Sequence, residues 1–164
     1  PIVWRWAQAT HDFHNHALGS HIRNGFHALA MDERREAYAP VMWACPTGWN
    51  GNMEQVWFKG NHGDVGGQVW QDQSCRPLAN IPLVWMLERL EMCKVPLPEG
   101  WRNRFPQDVT APSIGSWRGW AKIFLSRRKR IIGRCRSERL HESVSGGDAA
   151  DRLTNGPVRE PIQG

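Results

Sequence analysis

A loop of eight residues carries the groups best suited to chemistry in this sequence. Residues 60–67 spell Gly-Asn-His-Gly-Asp-Val-Gly-Gly, with an imidazole at His62 and a carboxylate at Asp64. Glycines at four of these positions allow positive φ angles and close backbone approaches that a passive surface turn rarely needs. His62 could therefore act as a general base, or it could fill a tight turn, and the residue types alone do not separate the two. Asp64 is predicted to brace the loop.

The segments on either side of this loop are predicted to place it at the edge of an α/β sheet. The run 54–59 is short and includes β-branched and aromatic side chains, which is typical of a buried strand. A largely buried helix is predicted over 80–92, with Asn80 as its N-cap and Pro82 in its first turn. Catalytic groups in such sheets lie beyond the carboxyl ends of strands, and an α/β-hydrolase keeps its general base in a loop of this kind.

The rest of the chain is predicted to be less regular. Residues 20–32 carry apolar side chains at helical spacing after a serine, so a helix is predicted there. Residues 97–116 are predicted to wrap irregularly around the core, a short helix is predicted over 120–125, and 145–164 are weakly ordered by composition. One domain over 1–144 is expected, and no apolar run approaches the 18 residues of a membrane span.

Histidines near the start offer a second candidate site. Three imidazoles fall within six residues in the pattern His-x-x-His-x-His, which could contribute to a metal site. No His-Glu-x-x-His motif accompanies them, so polar surface is favoured, and neither a metal nor an organic cofactor is predicted. The cluster comprises His11, Asp12, His14, His16, His21 and His27. The four cysteines include no Cys-x-x-Cys pair, and reduced thiols are predicted.

The positive charge of the chain is concentrated in one segment. The whole chain carries a net charge of +5, and residues 127–139 alone carry +6. Such a segment could contact the phosphates of anionic lipid or nucleic acid, but a solvated helix end or arm is favoured. The candidate contact residues are Arg127, Arg128, Lys129 and Arg130. Because no aromatic side chains alternate with them, a specific nucleic-acid partner is not predicted.

Several motifs of the sequence resemble, in order, those of one family. They are HALAMDERR (27–35), YAPVMW (38–43), QVWFKGNHGDVGG (55–67), LANIPLVWM (78–86) and RLHESV (139–144). The family is the α/β-hydrolase domain of type VI secretion phospholipase effectors and of related uncharacterised bacterial and fungal proteins. The resemblance implies the C-terminal portion of an α/β-hydrolase-like sheet, in the order strand, histidine loop and helix, followed by an irregular wrap rich in proline and tryptophan and by a basic C-terminal arm.

The resemblance also implies an activity, which is hydrolysis of esters by a Ser-Asp-His triad, with phospholipids as substrates in the effector branch. His62 matches the family's histidine and takes the role of general base. The residues that match as its supporting loop are Gly60, Gly63, Asp64, Gly66 and Gly67.

One element of that family is missing from the sequence, because no serine lies in a Gly-x-Ser-x-Gly elbow. The nucleophile and the triad acid are expected upstream, so the chain is predicted to be the C-terminal half of the domain and inactive alone. A non-catalytic scaffold or binding module with a basic segment is the main alternative, and a metal-dependent hydrolase using the early histidines is another. Without a signal peptide the chain is expected in the cytoplasm, export by a secretion system is left open, and the oligomeric state is not predicted.

Overall fold

Three parallel strands form a sheet in the order β1-β2-β3. They are β1 (Asn24–Ala30), β2 (Asn52–Phe58) and β3 (Glu138–Leu140). The structure is a computed structural model, and it describes residues 17–44, 48–70, 72–116, 125–133 and 135–144. Within these ranges the mixed α/β architecture confirms the predicted fold class at the level of α/β.

Two α-helices follow β2. They are the short α1 (His62–Val65) and the long α2 (Arg76–Met92). Further 3-10 turns lie at Glu36–Tyr38, Gln73–Cys75 and Trp101–Arg104. Strand β2, the turn into α1, and α2 therefore form the strand, loop and helix that the sequence predicts.

The segment predicted as a helix over 20–32 contains β1 (Asn24–Ala30) and no helix, so that prediction is wrong. β1 pairs in parallel with β2 along its whole length. Its Phe26 packs toward α2, whereas Leu29 packs on the opposite face of the sheet. A strand that is apolar on both faces lacks the alternation of a half-exposed strand, so its apolar positions also fit a helical period.

The predicted strand over 54–59 is confirmed as β2, with bounds shifted toward the N-terminus. Val56 and Phe58 pack against α2, and Trp57 packs on the other face against Ile132 from the basic segment. β2 has a neighbour on each side, so it is the central strand of the three. The loop that follows it therefore begins at the middle of the sheet's carboxyl edge.

Helix α2 begins at Arg76, one turn before the predicted start. Pro77 occupies its first turn, where a missing N–H removes no intrahelical hydrogen bond. Asn80 is buried inside the helix and is not its cap, since its Nδ2 donates to the carbonyl of Pro106 at 2.8 Å. Pro82 consequently lies in the helix interior. The helix ends, as predicted, before the prolines that follow it.

Residues 97–116 are irregular as predicted, apart from the 3-10 turn that begins at Trp101. The Trp101 side chain is buried, and its Nε1 donates to Glu91 at 3.3 Å, which fixes this segment on α2. β3 was not predicted as a strand. The helix predicted over 120–125 lies, except for its last residue, outside the described residues, as does the tail over 145–164.

The prediction of reduced thiols holds for Cys75 and Cys93, whose sulfurs are not in a disulfide, and is wrong for Cys135, which is disulfide-bonded. Spacing along the chain does not reveal which residues approach in space, and a disulfide depends on that approach. In the described ranges no helix combines the length and the apolar character needed to cross a bilayer.

Candidate functional site

The loop after β2 turns sharply into α1. Gly60 has a φ of 107°, and a Cβ there would lie 2.7 Å from the Cβ of Asp64, so the turn requires glycine. Asn61 caps α1, because its side-chain oxygen accepts the backbone N–H of Gly63 at 2.8 Å. Asp64 accepts the N–H of Asn61 at 2.9 Å and so completes a capping box. His62 is thereby the first residue of α1, at the carboxyl edge of the central strand.

Asp64 also fastens a distant segment to this loop. Its side chain is buried and accepts hydrogen bonds from Ser113 Oγ at 2.5 Å and from the N–H of Ile114 at 2.9 Å. Together with the bond from Asn61, these contacts occupy both carboxylate oxygens. Such a set of donors compensates the cost of burying the charge.

Glu33 joins the loop to the residues that follow β1. The buried carboxylate forms an ion pair with Arg35 at 2.5 Å, and its Oε2 accepts the backbone N–H of His62 at 3.2 Å. Burial raises the pKa of Glu33, but the hydrogen bonds from Arg35 and His62 outweigh burial, so the pKa lies below its ordinary value. Glu33 is therefore an ionised carboxylate that holds the His62 backbone.

The Tyr38 ring packs on the side chain of His62. The two rings stack with centroids 4.7 Å apart and planes inclined by 23°. The Arg35 guanidinium carbon lies 4.2 Å from the centre of the Tyr38 ring. Arg130 Nη2 donates to the carbonyls of Arg35 and Tyr38, each at 2.8 Å. Glu33, Arg35, Tyr38 and His62 thus form a closed cycle of contacts, the His62 clamp, while the His62 side chain stays exposed.

A second histidine lies at the same edge of the sheet, directly after β3. The ring of His141 stacks on Phe58 with centroids 4.5 Å apart, and its Nδ1 accepts the N–H of Ser143 at 3.1 Å. Burial lowers the pKa of His141, although nearby Glu142 opposes that shift. His141 is therefore a neutral, partly buried side chain that already uses one ring nitrogen within the protein.

The first half of the chain carries the signature of a known family. The family model of the catalytic domain of T6SS Tle1-like phospholipase effectors matches residues 1–89. That range includes β1, the His62 loop and most of α2, and it is more than half of the chain. The chain belongs to this family. Comparisons with curated proteins and with solved structures gave no significant match.

Membership in the Tle1-like family confirms the resemblance inferred from the sequence motifs and places the chain in a lipase- and phospholipase-like hydrolase family. Three members of the His62 clamp were missed as site candidates from the sequence. Glu33, Arg35 and Tyr38 nevertheless lie in the motifs 27–35 and 38–43. The family resemblance of those motifs could therefore have pointed to them, whereas their residue types alone did not.

The remaining predicted loop residues are brought together around α1. Gly66 caps the C-terminal end of α1. Gly67 has a φ of 71°, and its carbonyl accepts Arg76 Nη1 from the start of α2 at 3.0 Å. Gly63 lies against Ile114, whose side chain would be 3.1 Å from a Cβ at this position. The loop is therefore packed between α2 and the segment fastened by Asp64.

The four candidate cations of the basic segment do not share one environment. Arg130 is 7% exposed and is directed inward, and Arg127 is half-buried. Arg128 and Lys129 are exposed. The expectation of a solvated arm is therefore wrong for Arg130, because the carbonyls after β1 form a buried acceptor site that the sequence does not reveal.

The early histidines are only partly described. His11, Asp12, His14 and His16 lie outside the described residues, and His21 is exposed. His27 lies in β1, where its ring packs 4.9 Å from that of Trp43 and burial lowers its pKa. Over the described ranges no three His, Cys, Asp or Glu side chains converge as a metal site would require.

Proposed function

We propose that this chain supplies His62 as the general base of a serine ester hydrolase that acts on phospholipids. The family supports the class of substrate. The observation that carries the proposal is an exposed imidazole fixed through both its backbone and its ring at the carboxyl edge of the central strand. Ligands and catalytic groups of open α/β sheets lie at that edge.

In the proposed reaction a serine hydroxyl attacks the ester carbonyl carbon, and His62 takes the hydroxyl proton. His62 then gives this proton to the leaving alcohol. In the second half, His62 takes a proton from water, which attacks the acyl carbon. His62 returns that proton to the serine oxygen as the acyl–oxygen bond breaks, which releases the fatty acid and restores the serine hydroxyl. The clamp limits rotation of the imidazole, and orientation of a base contributes strongly to rate.

The nucleophile is proposed to come from outside these 164 residues, because none of their serines lies in a Gly-x-Ser-x-Gly elbow. The triad acid is proposed to come from the same missing part, so the chain alone should not turn over esters. Membership in an effector family is compatible with export by a secretion system.

The test starts from the coding DNA upstream of Pro1, which is expected to encode an in-frame serine elbow and a later strand that ends in an acid. The complete polypeptide is then assayed for release of fatty acid from phosphatidylethanolamine vesicles. His62→Ala should lower kcat/KM by about 10⁴-fold or more, since loss of a triad member leaves only residual catalysis. His21→Ala, at an exposed histidine outside the clamp, should leave it unchanged.

Hydrolysis that survives His62→Ala would overturn the proposal. So would upstream DNA that encodes neither the elbow nor the acid, in which case a non-catalytic scaffold or binding module becomes the better account of the chain.

A further inference from the structure

Trp70 exposes its indole to solvent in a backbone conformation that bulky residues avoid. The side chain is 76% exposed, and φ is 38°. A positive φ is uncommon for a bulky residue and is energetically unfavourable there. Its neighbour Val69 is fully buried in a cluster with Cys75 and Ala79. The turn thus buries Val69 and directs Trp70 outward.

The backbone near Trp70 is joined to the proposed site. Gln68, two residues before Trp70, donates its N–H to the carbonyl of Gly63 at 2.8 Å, next to His62. Leu125 is another exposed apolar side chain, at 79% exposure. The carbonyl of the next residue, Ser126, accepts the N–H of Glu36 at 3.0 Å, within the segment that carries the clamp residues Arg35 and Tyr38. Trp70 and Leu125 therefore each lie within two residues of a backbone contact to the segments that follow β1 and β2.

Cations lie at the same edge. The backbone N–H of Arg128 donates to the carbonyl of Arg34 at 2.8 Å, so the basic segment runs alongside the residues after β1. The side chains of Arg34 and Lys129 are exposed, and neither has an ion-pair partner among the residues that the structure describes. Arg128 lies 3.2 Å from Glu36, which neutralises that acid. The edge thus combines exposed apolar groups with uncompensated positive charge.

We propose that Trp70 and Leu125, together with Arg34 and Lys129, dock this edge of the protein on an anionic phospholipid bilayer. This inference rests on the proposed function, since a phospholipase must reach a substrate that is packed in a membrane. Indole side chains partition to the boundary between headgroups and acyl chains, where the ring is shielded and its N–H finds acceptors. Exposed Lys and Arg near the surface are attracted by anionic lipids.

The test measures sedimentation of the full chain with vesicles of phosphatidylcholine, with and without about 30 mol% phosphatidylglycerol, an anionic content that gives a strong negative surface potential. Trp70→Gly should lower the partition coefficient about tenfold, because the variant loses the apolar surface that the indole buries in the bilayer. Lys129→Gln should lower binding about fivefold, and only to the anionic vesicles.

Trp70→Gly separates docking from a structural role of the indole. Glycine accepts a positive φ, so the urea midpoint of this variant should stay the same or rise. An indole needed for folding would lower it. Trp70→Asn, which also tolerates the left-handed region, repeats the test with a second side chain. Met92→Ala is the matched control, because Met92 is 65% exposed at the opposite end of α2 and should not change vesicle binding.

Three outcomes overturn the inference: a wild-type chain that does not sediment with anionic vesicles, a Trp70→Gly variant that binds like wild type, and equal losses for Trp70→Gly and Met92→Ala. The proposed function fails separately. His62→Ala should abolish hydrolysis in the complete polypeptide and leave vesicle binding intact. If the protein binds vesicles but its hydrolysis does not depend on His62, the proposed function is wrong and the docking proposal stands.

Discussion

His62 and His141 follow neighbouring parallel strands, yet their side chains lie in different environments. His62 is exposed, and its backbone N–H forms the hydrogen bond to Glu33; no bond to its ring nitrogens occurs within the described residues. His141 is partly buried and commits Nδ1 to the N–H of Ser143. A place at the carboxyl end of a strand is therefore not sufficient for a general base, because a base also needs a nitrogen that substrate can reach.

The same contrast separates the two buried carboxylates of the site. Glu33 accepts a hydrogen bond from the backbone of His62 itself. Asp64 is only two residues from His62 in sequence, but both of its carboxylate oxygens accept hydrogen bonds from the loop and from residues 113–114. Closeness in sequence therefore does not decide which carboxylate contacts His62. The pairing of β1 beside β2 does, because it brings Glu33 next to His62.

The largest effect should come from exchanging the two histidines in turn for asparagine. In the complete polypeptide, His62→Asn should lower kcat/KM by about 10⁴-fold, because an amide cannot accept the serine proton. His141→Asn should change it less than about threefold, since an amide oxygen can still accept the Ser143 N–H. Steady-state hydrolysis of phospholipid vesicles measures both. Similar losses at the two positions would break the contrast between them.

The next largest effect should be on stability, at Asp64. Asp64→Ala leaves three donors without the buried acceptor that they share, and we expect the free energy of unfolding to fall by about 3 kcal/mol. Asp108→Ala is the matched control, because Asp108 is exposed and bonds mainly to Thr110; a loss within about 1 kcal/mol is expected there. Urea unfolding at pH 7.5 measures both. A loss at Asp64 no larger than that at Asp108 would remove its bracing role.

A smaller effect is expected at Tyr38. Tyr38→Ala removes the ring stacked on His62 and should lower kcat about tenfold with little change in KM, because only the orientation of the base is affected. Tyr38→Phe keeps the ring and should retain most of kcat. The pair of variants in the complete polypeptide separates the stacked ring from the hydroxyl, and equal losses in the two would assign the role to the hydroxyl.

The smallest effect is on the pH dependence of stability. The folded-state pKa of His141 lies below its ordinary value of 6.5 because of burial, so below that pH the unfolded chain binds the proton more readily. Stability should therefore decline as the pH falls from 7.5 to 5.5. His141→Asn should flatten this decline in urea titrations, and His27, also lowered by burial, accounts for part of what remains.

Glu33 acts in a separate, more acidic window. Its pKa lies below the ordinary 4.5, so the stability from its ion pair is present above that pH and is lost as the pH falls below it. For the higher window, if His141→Asn leaves the decline in stability between pH 7.5 and 5.5 unchanged, His141 does not contribute to it.

Local features of the sequence determined β2, the glycine-rich turn and the existence of a helix after it. These elements depend on residues close together in the chain: a β-branched and aromatic run, glycines at positive φ, and prolines that end a helix. The ordered motifs also carried the family, which the match over residues 1–89 confirmed.

Only the tertiary structure decided that residues 24–30 form a strand, that Arg130 turns inward, and that Glu33 and Tyr38 hold His62. Each of these outcomes depends on partners far apart in sequence, as in the contact between Glu33 and His62 or that between Arg130 and Tyr38. β1 has an apolar pattern compatible with helix or strand, and parallel pairing with β2 resolves it. Residue types state what a side chain can bind, but the approach of distant segments decides what it does bind.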